Sequence, residues 1–159
     1  MALTVSQVVQ LEPLFAADKT DPLAIWFARL DATGDASGGL LTMDLLLPVD
    51  FVLTCTTCSV FNSSATAKAV TVLLVTGGRA TELYLQTTLM AAPPAGTQGG
   101  AVFDGMRFGP FSPVTAATLE ALMTNVLNET SSLVARGFVF DKSLFRDIPA
   151  SQWSRFIPA

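Results

Sequence analysis

Apolar runs of seven to eleven residues recur along this chain, separated by short breaks of Gly, Pro, Asp, Asn and Ser. Runs of that length with such boundaries read as β-strands. The stretch 23–47, LAIWFARLDATGDASGGLLTMDLLL, organises the rest. Its two apolar runs, 23–30 and 40–47, flank a nine-residue connector of Asp, Ala, Thr, Gly and Ser. They predict a β-hairpin at the centre of a β-rich domain. The first run is apolar on both faces, as a central buried strand is. In the second, Leu41, Met43, Leu45 and Leu47 share one face, and Pro48 ends it.

Further strands are predicted over 51–61, 69–75 and 81–88, with one short strand inside 101–111, where Gly105, Gly109 and Pro110 interrupt. The segment 91–100, AAPPAGTQGG, is a loop by its Pro and Gly content. The period then changes. Ser112 suits a helix cap and Pro113 a first helical position. Leu119, Leu122, Met123, Val126 and Leu127 follow at helical spacing and predict a helix over 113–127. Residues 133–140 return to strand. Residues 1–22 read as an N-terminal arm, either a helical turn or two or an extended segment. Residues 144–159 read as a C-terminal extended arm, with Phe145, Ile148, Trp153, Phe156 and Ile157 set among polar residues and two prolines. The expected fold is mainly β: an antiparallel β-sandwich or jelly-roll-like domain over 23–143, one short helix in its C-terminal half, and extended termini. The spacing of strands and turns matches the roughly 8–12 residues of such folds.

Composition sharpens this picture. At 159 residues, a single domain buries roughly 68–70% of its unfolded surface and needs no metal or disulfide to fold. Half the residues are hydrophobic and only 14% are charged, against about 25% in an ordinary soluble domain. The mean hydropathy is +0.50. So little charge leaves part of the surface to be covered by something other than water. A membrane is the weaker candidate, because a spanning helix needs about 20 consecutive apolar residues. The longest charge-free stretch, 83–103, contains Pro93, Pro94, Gly96, Gly99 and Gly100. No Lys or Arg precedes Lys19 and no compact apolar segment follows the start, so a secretory leader is not expected and an intracellular product is. Net charge is −4 and the nine basic residues are scattered, which argues against nucleic acid. Protein partners and a homo-oligomer remain as the explanation of the apolar excess.

The chain contains no histidine, which removes Ser-His-Asp and Cys-His catalysis. The sequence GDASGG at 34–39 therefore reads as a turn, and Ser37 has no imidazole base. Asp31 and Asp35 could offer oxygens to Ca²⁺, but the twelve-residue loop with its terminal Glu is absent; turn capping is the plainer role. Cys55 and Cys58 have CxxC spacing, yet a closed zinc site needs four Cys or His ligands. On a regular strand the two would point to opposite faces, so two buried free thiols are expected. Asp44, Asp50, Glu82 and Asp104 are the carboxylates a glycosidase-like pair would draw on, and nothing in their spacing pairs them. Asn62-Ser63-Ser64 and Asn128-Glu129-Thr130 match the glycosylation pattern. No cofactor or metal is expected, and no enzyme. In the tail, Phe145, Arg146, Trp153, Arg155 and Phe156 have the aromatic and Arg profile of interface anchors. They would either pack into a neighbouring subunit or fold back on the chain's own core.

The segment ARLDATGDASGGLLTMDLLLP, 28–48, resembles one found in small virion proteins of tailed bacteriophages, where a strand, a GDASGG-type turn and a second strand begin a β-sandwich. The resemblance extends over about 23–88. It implies a structural subunit of the particle: a capsid decoration or cement protein, or a head-tail accessory subunit, made in the host cytoplasm and located in the virion. Its implied partners are the major capsid protein or other virion proteins. It carries over no catalytic residue. The alternative is a carbohydrate- or host-surface-binding module of a virion, for which Phe103, Phe108 and Phe111 are the aromatic candidates.

Overall fold

The computed structural model describes residues 4–18, 21–33, 40–47, 52–64, 67–76, 81–90, 101–103, 107–111, 117–124 and 129–141. These residues form the strands β1 (Thr4–Pro13), β2 (Ala24–Thr33), β3 (Leu40–Leu47), β4 (Val52–Asn62), β5 (Lys68–Thr76), β6 (Thr81–Met90), β7 (Ala101–Phe103), β8 (Phe108–Phe111), β9 (Ala117–Thr124) and β10 (Thr130–Phe140). Two antiparallel sheets result. The first has the order β1-β2-β10-β4, and the far edge of β4 is shared by β7, beside Val60 to Asn62, and β8, beside Leu53 and Cys55. The second has the order β3-β9-β5-β6. Trp26, Leu30, Leu53, Val60 and Leu133 from one sheet meet Met43, Leu45, Val72, Leu74, Leu119 and Met123 from the other in a single buried core. The architecture is β-sandwich-like.

The 23–47 stretch is not a hairpin. Both edges of β2 are taken, by β1 and by β10, while β3 lies in the opposite sheet beside β9. Trp26, Ala28 and Leu30 form one apolar face and Met43, Leu45 and Leu47 another. Placing the two strands in opposite layers buries both faces in the same core. The connection from Thr33 to Leu40, six residues long, also exceeds the roughly two to five residues of hairpin loops.

The helix expected over 113–127 is also corrected. Its described part is β9, and Ala117, Leu119, Ala121 and Met123 alternate into the core at 0–1% exposure. Leu119 and Met123, four residues apart, satisfy both a helical and an alternating period, whereas Leu122 falls on the other face of the strand. The helix preference of Ala, Leu, Glu and Met is overridden here because β3 and β5 hydrogen-bond to β9 on either side. Residues 113–116 and 125–127 lie outside the described residues. The 101–111 stretch holds two short strands where one was expected. The 1–22 stretch supplies β1, paired with β2 from Thr4 opposite Thr33 to Pro13 opposite Ala24.

One cross-strand contact sets the geometry of the first sheet. The Trp26 indole N–H reaches from β2 over β10 and donates to the Thr54 carbonyl on β4 at 2.9 Å, fully buried. It can pass only because the intervening residue of β10 is Gly137, which sits opposite Trp26. A Cβ on Gly137 would lie 1.6 Å from the Thr54 carbonyl oxygen and 2.7 Å from the indole nitrogen. The Thr54 carbonyl is turned this way by a β-bulge: Arg136 faces Thr57 and Gly137 faces Cys55, leaving Thr56 as an extra residue in β4. The Thr56 hydroxyl donates to the Arg136 carbonyl at 3.0 Å and closes the bulge.

The bulge also decides what happens to the cysteines. On a regular strand Cys55 and Cys58 would face opposite ways. The extra residue shifts the phase, so Leu53 and Cys55 before it and Cys58, Val60 and Asn62 after it all point inward. Both cysteines are free and buried. The Cys55 thiol donates to the Thr57 carbonyl at 3.2 Å, and burial pushes its pKa up to about 12.

A polar cluster closes the sandwich where β4 ends and β10 begins. The buried Asn62 side chain donates to the Ser131 hydroxyl at 2.8 Å and accepts from the Ser64 backbone N–H at 2.9 Å. Beside this end, Lys68 of β5 pairs with Glu129 at 2.6 Å, with side chains only 6% and 13% exposed. Asn62 is therefore a structural residue and not open to glycosylation.

Gly137→Ala is expected to destabilise the fold by about 3 kcal/mol or more, because a backbone carbonyl cannot yield as a side-chain tip can. Trp26→Phe keeps most of the ring volume but strands the Thr54 carbonyl, at a cost of about 1–3 kcal/mol. Urea unfolding of both variants beside the parent measures these losses; a Gly137→Ala variant as stable as the parent would refute the close approach. Neither thiol is expected to react with maleimide at pH 8 until the chain is unfolded. An unfolded cysteine ionises near 9.0 and folded Cys55 near 12. The thiol's contribution is thus fully present below about pH 9 and is lost as pH rises toward 12. Unfolding midpoints between pH 8 and 11 should show this decline, and Cys55→Ala should flatten it.

Candidate interaction surface

The two sheets are not equally wide beside β2. β1 pairs with β2 so that Gln7, Val9 and Leu11 stand opposite Leu30, Ala28 and Trp26. Partners directly opposite share a face of the sheet, so these three residues of β1 point toward the second sheet. The β2 partners are completely buried, yet Leu11 is 44% exposed, Val9 half-buried and Gln7 exposed. Among the described residues the second sheet ends at β3. β1 overhangs it. An open groove of about 400 Å³ follows the overhang, lined by Gln7, Val9, Leu46 and Leu47.

Gln7 bridges this groove. With its amide oriented to satisfy both neighbours, its nitrogen donates to the Asp44 carbonyl and its oxygen accepts from the Leu46 backbone N–H, each at 3.2 Å. These two groups belong to the side of β3 that faces away from β9. A primary amide thus makes the two hydrogen bonds that a strand's peptide groups would make at that edge.

Large apolar side chains are exposed on β1 (Val8 on its outer face, Leu11 on its inner face), on the connection after it (Leu14, Phe15 and Leu23) and on the outer face of β3 (Leu46). Phe15, at 91% exposure, is carried on a connection tied down at several points. The Leu14 N–H bonds the Leu23 carbonyl, and the Asp21 carboxylate accepts from the backbone N–H of Ala17 and Asp18. The Leu23 N–H in turn donates to Val139 at the end of β10, at 2.7 Å. Leu14 and Leu23, joined by the backbone hydrogen bond between them, and the neighbouring Phe15 form an exposed apolar cluster of the kind that marks interaction sites.

The residues singled out from the sequence fare differently. Phe145, Arg146, Trp153, Arg155 and Phe156 lie outside the described residues, as do Asp35, Ser37, Asp50 and Asp104. Asp31 is in β2, where it accepts from Arg29 Nε at 2.7 Å and the Ser132 hydroxyl at 2.5 Å. The Arg29 hydrogen bond outweighs partial burial and, with Ser132, holds its carboxyl below the usual range. Its oxygens are thus engaged by Arg29 and Ser132. Among the described residues no three His, Cys, Asp or Glu side chains cluster as a metal site. Asp44 does gain a carboxylate neighbour, Glu120, directly opposite on β9. Reading 117–124 at a period of two would have put Glu120 on a strand, but the register that sets it opposite Asp44 comes from the structure. Phe103, Phe108 and Phe111 are strand residues paired with β4 and not loop residues.

No protein-family model matches the chain, and no curated protein matches it. Solved structures similar to it include the enzymatically active domain of tailspike protein 4 of bacteriophage CBA120, at 8% identity and a TM-score of 0.41, covering 86% of this chain and 19% of that one. The VP2 subviral particle of infectious bursal disease virus is similar at 9% identity and a TM-score of 0.40, covering 87% of this chain and 33% of that one. A family 11 carbohydrate-binding module of a Clostridium thermocellum cellulosomal cellulase is similar at 8% identity and a TM-score of 0.32, covering 87% of this chain and 88% of that one. This chain therefore spans about a fifth of the tailspike domain and a third of the VP2 chain. At that level of likeness none of them lends it an activity, ligand or partner.

Proposed function

We propose that this chain is a non-enzymatic structural subunit of a virion, a capsid decoration or cement protein or a head-tail accessory subunit, that stabilises the particle through protein-protein contacts. The observation that carries the reading is the exposed apolar cluster Leu14, Phe15 and Leu23 after β1, in a chain with only 14% charged residues. Such a surface suits burial in an assembly. In this reading Phe145, Arg146, Trp153, Arg155 and Phe156 anchor the C-terminal arm to a neighbouring subunit, with the major capsid protein or another virion protein as the wider partner.

Light scattering after size-exclusion chromatography tests the assembly role. The full chain is expected to form a defined oligomer that is lost when the residues after Leu144 are removed. The full-length double variant Trp153→Ala/Phe156→Ala should weaken association by roughly thirtyfold or more, the loss expected for truncating a central aromatic anchor. A monodisperse monomer for all three proteins would overturn the reading.

A further inference from the structure

Among the described residues β1 ends the first sheet, with β2 on one edge. The direction of its peptide groups follows from a hydrogen bond two strands away. The Arg136 carbonyl accepts from Thr56 and so faces β4. Peptide direction alternates along a strand, so Gly137 faces β2, Trp26 opposite it faces β10, and Phe27 and Arg29 face β1. Their partners Gln10 and Val8 face β2 in return. The Leu14 N–H, which donates to the Leu23 carbonyl, keeps the same alternation. The N–H and C=O groups of Val5, Gln7, Val9 and Leu11 therefore point to the outer edge of the sheet. Pro13 falls at another outward position, where its missing N–H breaks no ladder bond.

Natural edge strands are short, bulged, or guarded by Lys or Pro. β1 is ten residues long, pairs with β2 without a break in register, and carries neither Lys nor Pro before its last residue. It is also accessible from both faces. Ser6, Val8, Gln10 and Glu12 on the outer face and Gln7 and Leu11 on the inner face are all exposed. The Gln7 side chain reaches β3 from the inner face, while its peptide group points outward, so pairing at this edge leaves that contact in place.

One occupant fits this edge by its own sequence: a second β1. Antiparallel pairing about a twofold axis at Val8 joins Val5 with Leu11 and Gln7 with Val9, so each outward peptide group meets another. The same register sets Val8 against Val8, Gln10 against Ser6 and Glu12 against Thr4. Apolar meets apolar and polar meets polar. Glu12 is the only charged residue of the strand, and in this register the two carboxylates lie at opposite ends. An in-register parallel pairing would set them side by side, which is unfavourable.

We propose that two copies of this chain pair antiparallel through the outer edges of β1, centred on Val8, and make the first sheet continuous across a dimer. The twofold axis is perpendicular to the sheet, so both second sheets lie on the same side and the two overhangs adjoin. The inference rests on the assembly role proposed above and adds to it a contact between copies made without the C-terminal arm.

Full-length variants test it. Val8 would face its own counterpart at a pair with no ladder hydrogen bonds between them, where side chains come closest. V8C should form a disulfide-linked dimer under copper-phenanthroline oxidation at least about tenfold faster than Q10C, because pairing raises the effective concentration of the two thiols. Q10C should match that rate only when mixed with S6C. Cys55 and Cys58 are buried and stay out of the reaction. V8K and V8E each set like charges at the axis and should each weaken association by about tenfold or more, and mixing the two should restore it. All remain folded by circular dichroism, because Val8 is exposed. Equal self-linking rates for V8C and Q10C, or an oligomer unchanged by V8K, would overturn the inference. If that oligomer is still weakened by Trp153→Ala/Phe156→Ala, the assembly role stands. A parent chain that is monomeric throughout would overturn both.

Discussion

The contact on which the first sheet depends is the approach of the Trp26 indole to the Thr54 carbonyl across Gly137. It joins three adjacent strands by a side chain as well as by their ladders. Its requirements are mutually reinforcing. The indole needs a glycine beneath it, the carbonyl needs the bulge to turn it, and the bulge needs Thr56 to satisfy the Arg136 carbonyl. An unpaired carbonyl at this depth would cost about 1–3 kcal/mol, so the parts stand or fall together. The same bulge brings Cys55 and Cys58 to one face of β4, where they pack as small apolar groups.

Around that centre the sandwich is finished unevenly. One end is sealed by polar groups with defined partners: Asn62 with Ser131, and Lys68 with Glu129. Removing one partner of a buried ion pair of this kind would leave the other charge uncompensated, so the two residues are retained or lost together. On the side beyond β2 the described residues are uneven, because β1 widens one layer and β3 is the last described strand of the other. An exposed strand edge is an aggregation hazard unless something occupies it. Gln7 does so with a side chain, which is a reversible cover where a strand would be a lasting one.

Much of the strand content was legible because apolar runs end sharply at Gly, Pro and Asn. The runs over 40–47, 51–61, 69–75, 81–88 and 133–140 lie within β3, β4, β5, β6 and β10 or overrun them by a residue. Pairing was less legible, because alternation states which residues face inward and not which layer a strand joins. Trp26 and Met43 lie close in sequence, yet they meet across the core and not along a ladder. β9 was hidden by the coincidence that Leu119 and Met123 recur at a spacing shared by helix and strand. The candidate surface was hidden for a different reason. Gln7, Val9 and Leu11 look like an ordinary half-apolar start to a chain, and their role depends on how wide the opposing sheet is. No local pattern records that width.

The extra residue in β4 also bears on how this segment can vary. Side-chain direction along a strand is a two-step count, and Thr56 is the point where the count is reset. Losing one residue between Thr54 and Cys58 would leave Leu53, Cys58, Val60 and Asn62 in phase under simple alternation, but it would remove the bulge that turns the Thr54 carbonyl toward Trp26. The extra residue thus serves the Trp26 contact, and the CxxC interval spans it.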